Sequence, residues 1–378
     1  MSDMPLLRLF LASMACASVT HAGETAGTAP RIHGDASIVA PDARLERIFT
    51  GAVFTEGPAQ SPDGMLYFSQ ITPTRRTREQ GQPFEAGHLW RSDLRTGRAS
   101  VFRSPSGQSN GIEFDAEGRM LVAEGSDFGG RRIVRTDLAT GRSTVLAGTF
   151  EGRPFNGPND LVVDERGRIY FTDPRYFGPE PVEQPVQGVY RIDPDGKVAR
   201  IAADAGKPNG ITISPDQSTL YVGSLDFGAN DFLPESTPTV PGAMQLFAYP
   251  LRADGSLGDR RVLIDFAPGS GPDGITVDRD GNLYLAVPDD DPQKQGIRIV
   301  SSMGKDLAFI PVPESPTNVK FGRGAGMRTL FITASESVFR IEVRREGFHP
   351  GAKRASGSTR RSISPADRPA PGGPRSLR

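Results

Sequence analysis

Short runs of β-branched, aromatic and aliphatic residues recur along this chain, and each pair of runs is joined by a turn. In the clearest copy, Leu161-Val162-Val163 leads through Asp164 to Gly167 into Ile169-Tyr170-Phe171 and then Thr172-Asp173-Pro174. Two β-prone runs around an Asp-x-x-Gly turn predict a tight hairpin. Aligned on the polar residue before the first run, the unit recurs six times, at Glu56, Asn110, Asn159, Asn209, Asp273 and Asn318. The intervals of 54, 49, 50, 64 and 45 residues match the length of propeller blades. Five residues past the first five anchors come Ser61, Asp115, Asp164, Ser214 and Asp278, and four of these turns close on Gly64, Gly118, Gly167 or Gly281. The fourth copy lacks the Gly, and the sixth opens on Arg323 and runs longer.

Between the hairpins lie second alternating pairs, such as Val189-Tyr190-Arg191-Ile192 with Val198 to Ile201 across Asp193-Pro194-Asp195-Gly196. Four strands per unit predict an all-β fold, a six-bladed β-propeller over residues 43–345. The last unit ends at Val343 without an outer strand. The alternating segment Ala43 to Phe49 is therefore expected to complete the last blade, closing the ring and covering two sheet edges. The long interval in the fourth unit is taken up by a Pro- and Gly-containing insertion from Asp226 to Ala243.

Composition adds the ends and removes some partners. Arg8 followed by Leu9 to Ala17 and Thr20-His21-Ala22 predicts a secretory signal peptide over residues 1–22, and hence a secreted, periplasmic protein. Residues 23–42 read as a linker. Residues 346–378 read as a disordered tail, with seven basic residues and one acidic beyond Gly351. The sole cysteine, Cys16, falls in the signal segment and can form no internal disulfide. A formal net charge of −1 favours neither nucleic acid nor an anionic membrane, and no further run is long and apolar enough to span a bilayer. A monomer or weak oligomer is expected.

In a propeller the first strand of each blade lines the central channel, so six anchors just before those strands would meet at one mouth. Two carboxylates and four amides, with no His or Cys, make an oxygen-only set. Such a set suits a hard divalent cation: calcium first, with magnesium, manganese or zinc as alternatives. The competing reading is that Asn-Gly, Asp-Gly and Glu-Gly are simply turn dipeptides. Arg175-Tyr176 follows the third hairpin and would overhang the channel as a substrate wall, or be an ordinary loop. Gly269 to Gly274 fits G-x-G-x-x-G, but no helix follows and Pro272 lacks an N–H, both of which argue against a dinucleotide site.

The stretches TEGPAQSPDG, FNGPNDLVVDERGRIYFTDP, GVYRIDPDG, PNGITISPD and PDGITVDRDGNLYLAV resemble the SMP-30/gluconolactonase/luciferin-regenerating-enzyme group of six-bladed propellers. The resemblance covers about Ala43 to Val343. It implies metal ligands at Glu56, Asn159, Asn209 and Asp273, with Asp273 also the general base, and substrate contacts at Asn110 and Asn159. The implied reaction is hydrolysis of a small-molecule lactone. Two departures stand out. Gly157 occupies the place where sugar-lactone members carry an Arg, and none of the four histidines adjoins an anchor, unlike the paraoxonase-type relatives. The residues leave open a non-catalytic binding propeller for a sugar acid or protein partner, and a strictosidine-synthase-like enzyme that would not need this ligand set.

Overall fold

The computed structural model describes residues 31–74, 81, 85–228, 237 and 243–350. Six four-stranded antiparallel units stand in a ring, each running from an inner strand on the channel to an outer strand at the rim. The inner strands are Thr55–Gln60, Ser109–Phe114, Leu161–Val163, Pro208–Ile213, Ile275–Val277 and Pro316–Phe321. The expected Asp-x-x-Gly turns are present: Gly118, Gly167 and Gly281 donate their N–H groups back to Asp115, Asp164 and Asp278. In the fourth blade Gln217 adopts the left-handed φ of 62° that Gly supplies elsewhere, which is how that turn closes without one.

The core is a set of wedges between neighbouring blades. Alternation puts one face of each strand toward the blade before it and the other toward the blade after it, so strands buried on both sides read as nearly continuous apolar runs. Leu161, Phe171 and Tyr190 pack with Leu121 and Ile133 of blade 2, while Val162, Tyr170 and Val189 pack with Ile211 and Val222 of blade 4.

Ring closure follows the sequence expectation. Glu46–Thr50 pairs antiparallel with Ser337–Glu342 and forms the outer strand of blade 6. Two boundaries are corrected. Part of the stretch read as linker is built into the ring: His33–Gly34 adds a fifth strand to blade 5, and Ile38 and Val39 are buried between blades 5 and 6. Likewise the first residues of the segment read as tail are ordered. Gly347 donates to Met327 O, Phe348 to Val277 O, and His349 Nε2 to Gly322 O. The signal-peptide segment and residues 351–378 lie outside the described residues, as does most of the insertion after Asp226. No helix among the described residues is long and apolar enough to cross a membrane.

Candidate metal centre at the channel mouth

The anchors lie at irregular starts of the inner strands. The ladder shifts register between Glu56 and Ala59, between Ser109 and Ile112, and between Pro208 and Ile211. Such bulges re-aim side chains at the rim of a sheet. Here they leave the anchor carbonyls free to be tied sideways to the neighbouring blade. Gly111 N donates to Asn159 O, Gly210 N to Asp273 O and Gly274 N to Thr317 O. Ser69 Oγ donates to Asn110 O, Thr172 Oγ1 to Asn209 O and Thr317 Oγ1 to Thr55 O. The six bonds run around the whole mouth.

This belt explains the glycine that follows four of the anchors, Gly57, Gly111, Gly210 and Gly274, of which Gly57 alone also has a left-handed φ. A Cβ on Gly57 would lie 2.1 Å from Asn110 O, on Gly210 2.1 Å from Asp273 O, and on Gly274 2.3 Å from Asn318. The glycines are there because the next blade's backbone comes too close for any side chain. The same belt corrects the sixth anchor. Thr317, not Asn318, receives the Gly274 bond and occupies the anchor register, while Asn318 sits one step on, level with Asp160 of blade 3.

The structure brings Glu56, Asn110, Asn159, Asn209 and Asp273 to this mouth, all buried. The side-chain oxygens Oδ1 of Asn110, Asn159, Asn209 and Asp273 and Oδ2 of Asp160 have no hydrogen-bond partner. A buried acceptor left unpaired costs about 1–3 kcal/mol, so several on one rim, beside buried carboxylates, form an environment suited to a cation, which would answer several oxygens at once. Burial raises the Glu56 carboxyl to about 8, with repulsion from Asp160 adding to it. Burial, then Glu56, then Asp160 push Asp273 well above the usual carboxylate range. Among the described residues no three His, Cys, Asp or Glu side chains group closely enough to hold an ion. A cation at the mouth would therefore rest on amide oxygens as much as on carboxylates, a donor set that fits calcium.

Tyr176 and Arg175 part company. The Tyr176 hydroxyl accepts from Asn209 Nδ2 at 3.1 Å and donates to Leu225 O at 2.8 Å. It thereby fixes the Asn209 amide with Oδ1 as the unpaired atom, and the Lys207 ammonium lies 5.2 Å from the Tyr176 ring centroid. Arg175 is fully buried. Its Nε donates to Asn156 O at 2.8 Å and its NH1 to Glu180 O at 2.9 Å. The expected substrate contact at Arg175 is corrected to a clamp on the loop that follows Tyr176. Asn156 N and Gly157 N both donate to buried Asp173, which holds the Phe155 to Asn159 approach in place.

Beneath the mouth the channel holds charges that the sequence reading passed over. Lys320 Nζ of blade 6 lies 3.8 Å from Asp160 Oδ1 of blade 3, directly across the ring. Arg323 pairs with Glu113 of blade 2 at 2.7 Å. Asn318 Nδ2 reaches Glu56 Oε2 at 3.4 Å. The available signal was Lys320 itself, a cation inside the inner strand Pro316–Phe321, which is buried along its whole length.

A family model described as "SMP-30/Gluconolactonase/LRE-like region" matches residues 84–336. The gluconolactonase of Zymomonas mobilis subsp. mobilis is 28% identical over 352 residues, covering 86% of this chain and 87% of that protein. The 6-deoxy-6-sulfogluconolactonase of Pseudomonas putida is 30% identical over 255 residues, covering 66% of this chain and 76% of that protein. The solved structure of XC5397 from Xanthomonas campestris, described as a gluconolactonase, superposes with a TM-score of 0.67 at 30% identity, covering 83% of this chain and 94% of that one.

Proposed function

Because this chain belongs to the SMP-30/gluconolactonase/LRE-like family, we propose that it is a lactonase that opens a lactone ring with the help of a divalent cation, calcium, at the channel mouth. The observation that carries the metal reading is the set of unpartnered buried oxygens on Asn110, Asn159, Asn209 and Asp273 beside the buried Glu56 carboxyl. Glu56, Asn159, Asn209 and Asp273 would hold the ion. When bound, it would offset the two carboxylates and withdraw electron density from the lactone carbonyl.

The chain's own residues do the rest. Asp273 is the general base: its carboxylate lies buried at the mouth beside Glu56, where it can accept a proton from the attacking water. As the water oxygen bonds to the acyl carbon, Asp273 takes its proton. When the ring C–O bond breaks, the same proton passes to the departing ring oxygen and a hydroxy acid leaves. Asn110 and the second face of Asn159 orient the ring, and Tyr176 keeps the Asn209 amide from turning. The N-terminal pattern of charge, apolar run and small residues supports export to the periplasm as the place where this chemistry runs.

The test is ring opening by the purified chain on a lactone panel after EDTA treatment, with calcium, magnesium, manganese or zinc restored. Activity should vanish with EDTA and return with calcium. Asp273→Asn should lower kcat by at least 10²-fold with the fold intact, and Glu56→Gln should weaken calcium binding measured by calorimetry. Turnover indifferent to EDTA would remove the metal from the proposal, and full activity in Asp273→Asn would remove the base.

A further inference from the structure

Immediately before the inner strand of blade 4 stands a lysine that the metal centre does not use. Lys207 lies two residues ahead of Asn209, and its side chain is 1% exposed. Its Nζ lies 3.4 Å from Oδ1 of the fully buried Asp226 and donates to Gly228 O at 3.3 Å. Gly228 N donates to the same Asp226 Oδ1 at 2.7 Å. Burial draws the amine toward its neutral form, and the Asp226 carboxylate opposes that pull. Stability alone does not account for such a pair, because a buried ion pair commonly does no better than apolar residues of the same volume. Its location does account for it.

The Lys207 ammonium lies 5.2 Å from the Tyr176 ring centroid, within the range at which a cation is attracted to an aromatic face. The contact closes a circuit through the end of the second strand, Thr219–Leu225. Leu225 N donates to Lys207 O at 3.1 Å, and the Tyr176 hydroxyl donates to Leu225 O at 2.8 Å. Ring and hydroxyl of Tyr176 are thus both tied to the segment around Lys207. On its other side the hydroxyl accepts from Asn209 Nδ2 at 3.1 Å.

The last torsion of an asparagine is soft, and the two ends of its amide are opposite in sign. With Nδ2 turned to Tyr176, Oδ1 is the atom left without a partner at the mouth. The same amide hydrogen-bonds toward the Asp273 carboxylate and favours its ionised form. A turned Asn209 would therefore disturb two of the oxygens offered to a cation.

Resting on the calcium reading of the mouth, we propose that Lys207 is a positioning residue: its ammonium, held by Asp226 against the Tyr176 ring, seats the Tyr176 hydroxyl on Asn209 and so keeps Asn209 Oδ1 turned to the ion. Lys207 acts through Tyr176 and touches neither ion nor substrate. The sign of its effect is diagnostic. As a mere charge, a buried ammonium beside a cation site would repel calcium, and removing it would tighten binding. As a positioning residue, its removal weakens binding.

The test measures calcium affinity by calorimetry on the unaltered chain, Lys207→Met, Tyr176→Phe and the two combined, with urea unfolding of each in the absence of calcium. Lys207→Met should weaken calcium binding about three- to tenfold. Tyr176→Phe, which keeps the ring and loses the hydroxyl, should weaken it at least as much. In that background Lys207→Met should add less than about twofold, because both changes break one path. Lys207→Met combined with Asp226→Asn leaves no unpaired buried charge, and should match Lys207→Met even where the single variant folds poorly. Lys207→Arg, which keeps a cation for the ring, should recover most of the affinity. Calcium affinity raised or unmoved in Lys207→Met and its Asp226→Asn partner, or lowered equally with and without the Tyr176 hydroxyl, overturns the inference and leaves the calcium reading standing. An unaltered chain that binds no calcium overturns both.

Discussion

At the scale of single residues, the glycines after the anchors make the clearest case for how position governs effect. Gly210 has no left-handed φ, so alanine suits its backbone. Its Cβ, however, would lie 2.1 Å from Asp273 O and 2.8 Å from Ile275 Cγ1, across the bond that ties blade 4 to blade 5. Gly64 is the reverse: its φ is 91°, and nothing lies within 4 Å of a Cβ built there. Gly210→Ala should therefore cost about 1–3 kcal/mol by overpacking and weaken calcium binding by displacing Asp273. Gly64→Ala should cost about 1–2 kcal/mol by strain and leave calcium binding alone. Urea unfolding with calorimetric calcium titration separates them; equal calcium affinities in the two variants would break the link between the belt and the metal centre. The anchors themselves were legible because carboxylates and amides repeat in register. The reason for their glycines was not, since a turn glycine and a close-approach glycine look alike in sequence. Thr317 was passed over because a threonine beside Asn318 resembles no ligand, although backbone pairing, not side-chain type, assigns the register. Nor does sequence tell that Arg175 spends its donors on loop carbonyls.

At the scale of elements, the hairpins were readable because each is local: alternation, an Asp-x-x-Gly turn and a second run lie within about fifteen residues. Elements held by distant partners were harder. Two residues, His33–Gly34, cannot announce a strand whose partner is Ala308 and Phe309. The closing strand was readable because blade 6 lacked an edge partner. The wedge between blades 6 and 1 holds Leu66, Phe68, Phe331 and Val338 with Ile48, Phe49 and Trp90 packed against them. Phe49 lies 4.8 Å from Phe68 and 5.0 Å from Trp90 between ring centroids. Phe49→Ala should cost about 2–3 kcal/mol, less than a fully buried Phe because Phe49 is half-buried. Trp90 is the chain's single tryptophan, so its fluorescence reports the seam directly. The urea midpoint by fluorescence should fall together with that by circular dichroism if the ring unfolds as one body. A seam transition that precedes the loss of sheet would show the closing strand to be a separable latch.

At the scale of the whole molecule, the channel is dressed differently at its two ends. The anchors and unpaired oxygens crowd one mouth, and the C-terminal residues Glu346 to Pro350 cross the other. Arg279 N donates to Glu346 O and Phe348 N to Val277 O in blade 5, while Gly347 N donates to Met327 O in blade 6. Pro350 reaches the groove formed by Asp115, Glu117 and Asp164 of blades 2 and 3. His349 sits within this strap, its Nε2 donating to Gly322 O at 2.9 Å. Burial first, and the Arg323 guanidinium second, lower its proton affinity from the usual 6.5 to about 4, against the pull of Glu113. The folded chain thus keeps His349 neutral over a range in which the unfolded chain takes up a proton. The stability it contributes is fully present above pH 6.5 and is lost as pH falls toward about 4. His349→Gln retains a donor for Gly322 O but does not titrate. Urea midpoints measured from pH 7.5 down to 4.5 should show the unaltered chain losing its margin over the variant across that window, with the slope confined below pH 6.5. A margin that stays constant with pH would mean that the strap holds its histidine open to water, and that the lower end of the channel is not closed by residues 346–350 at all.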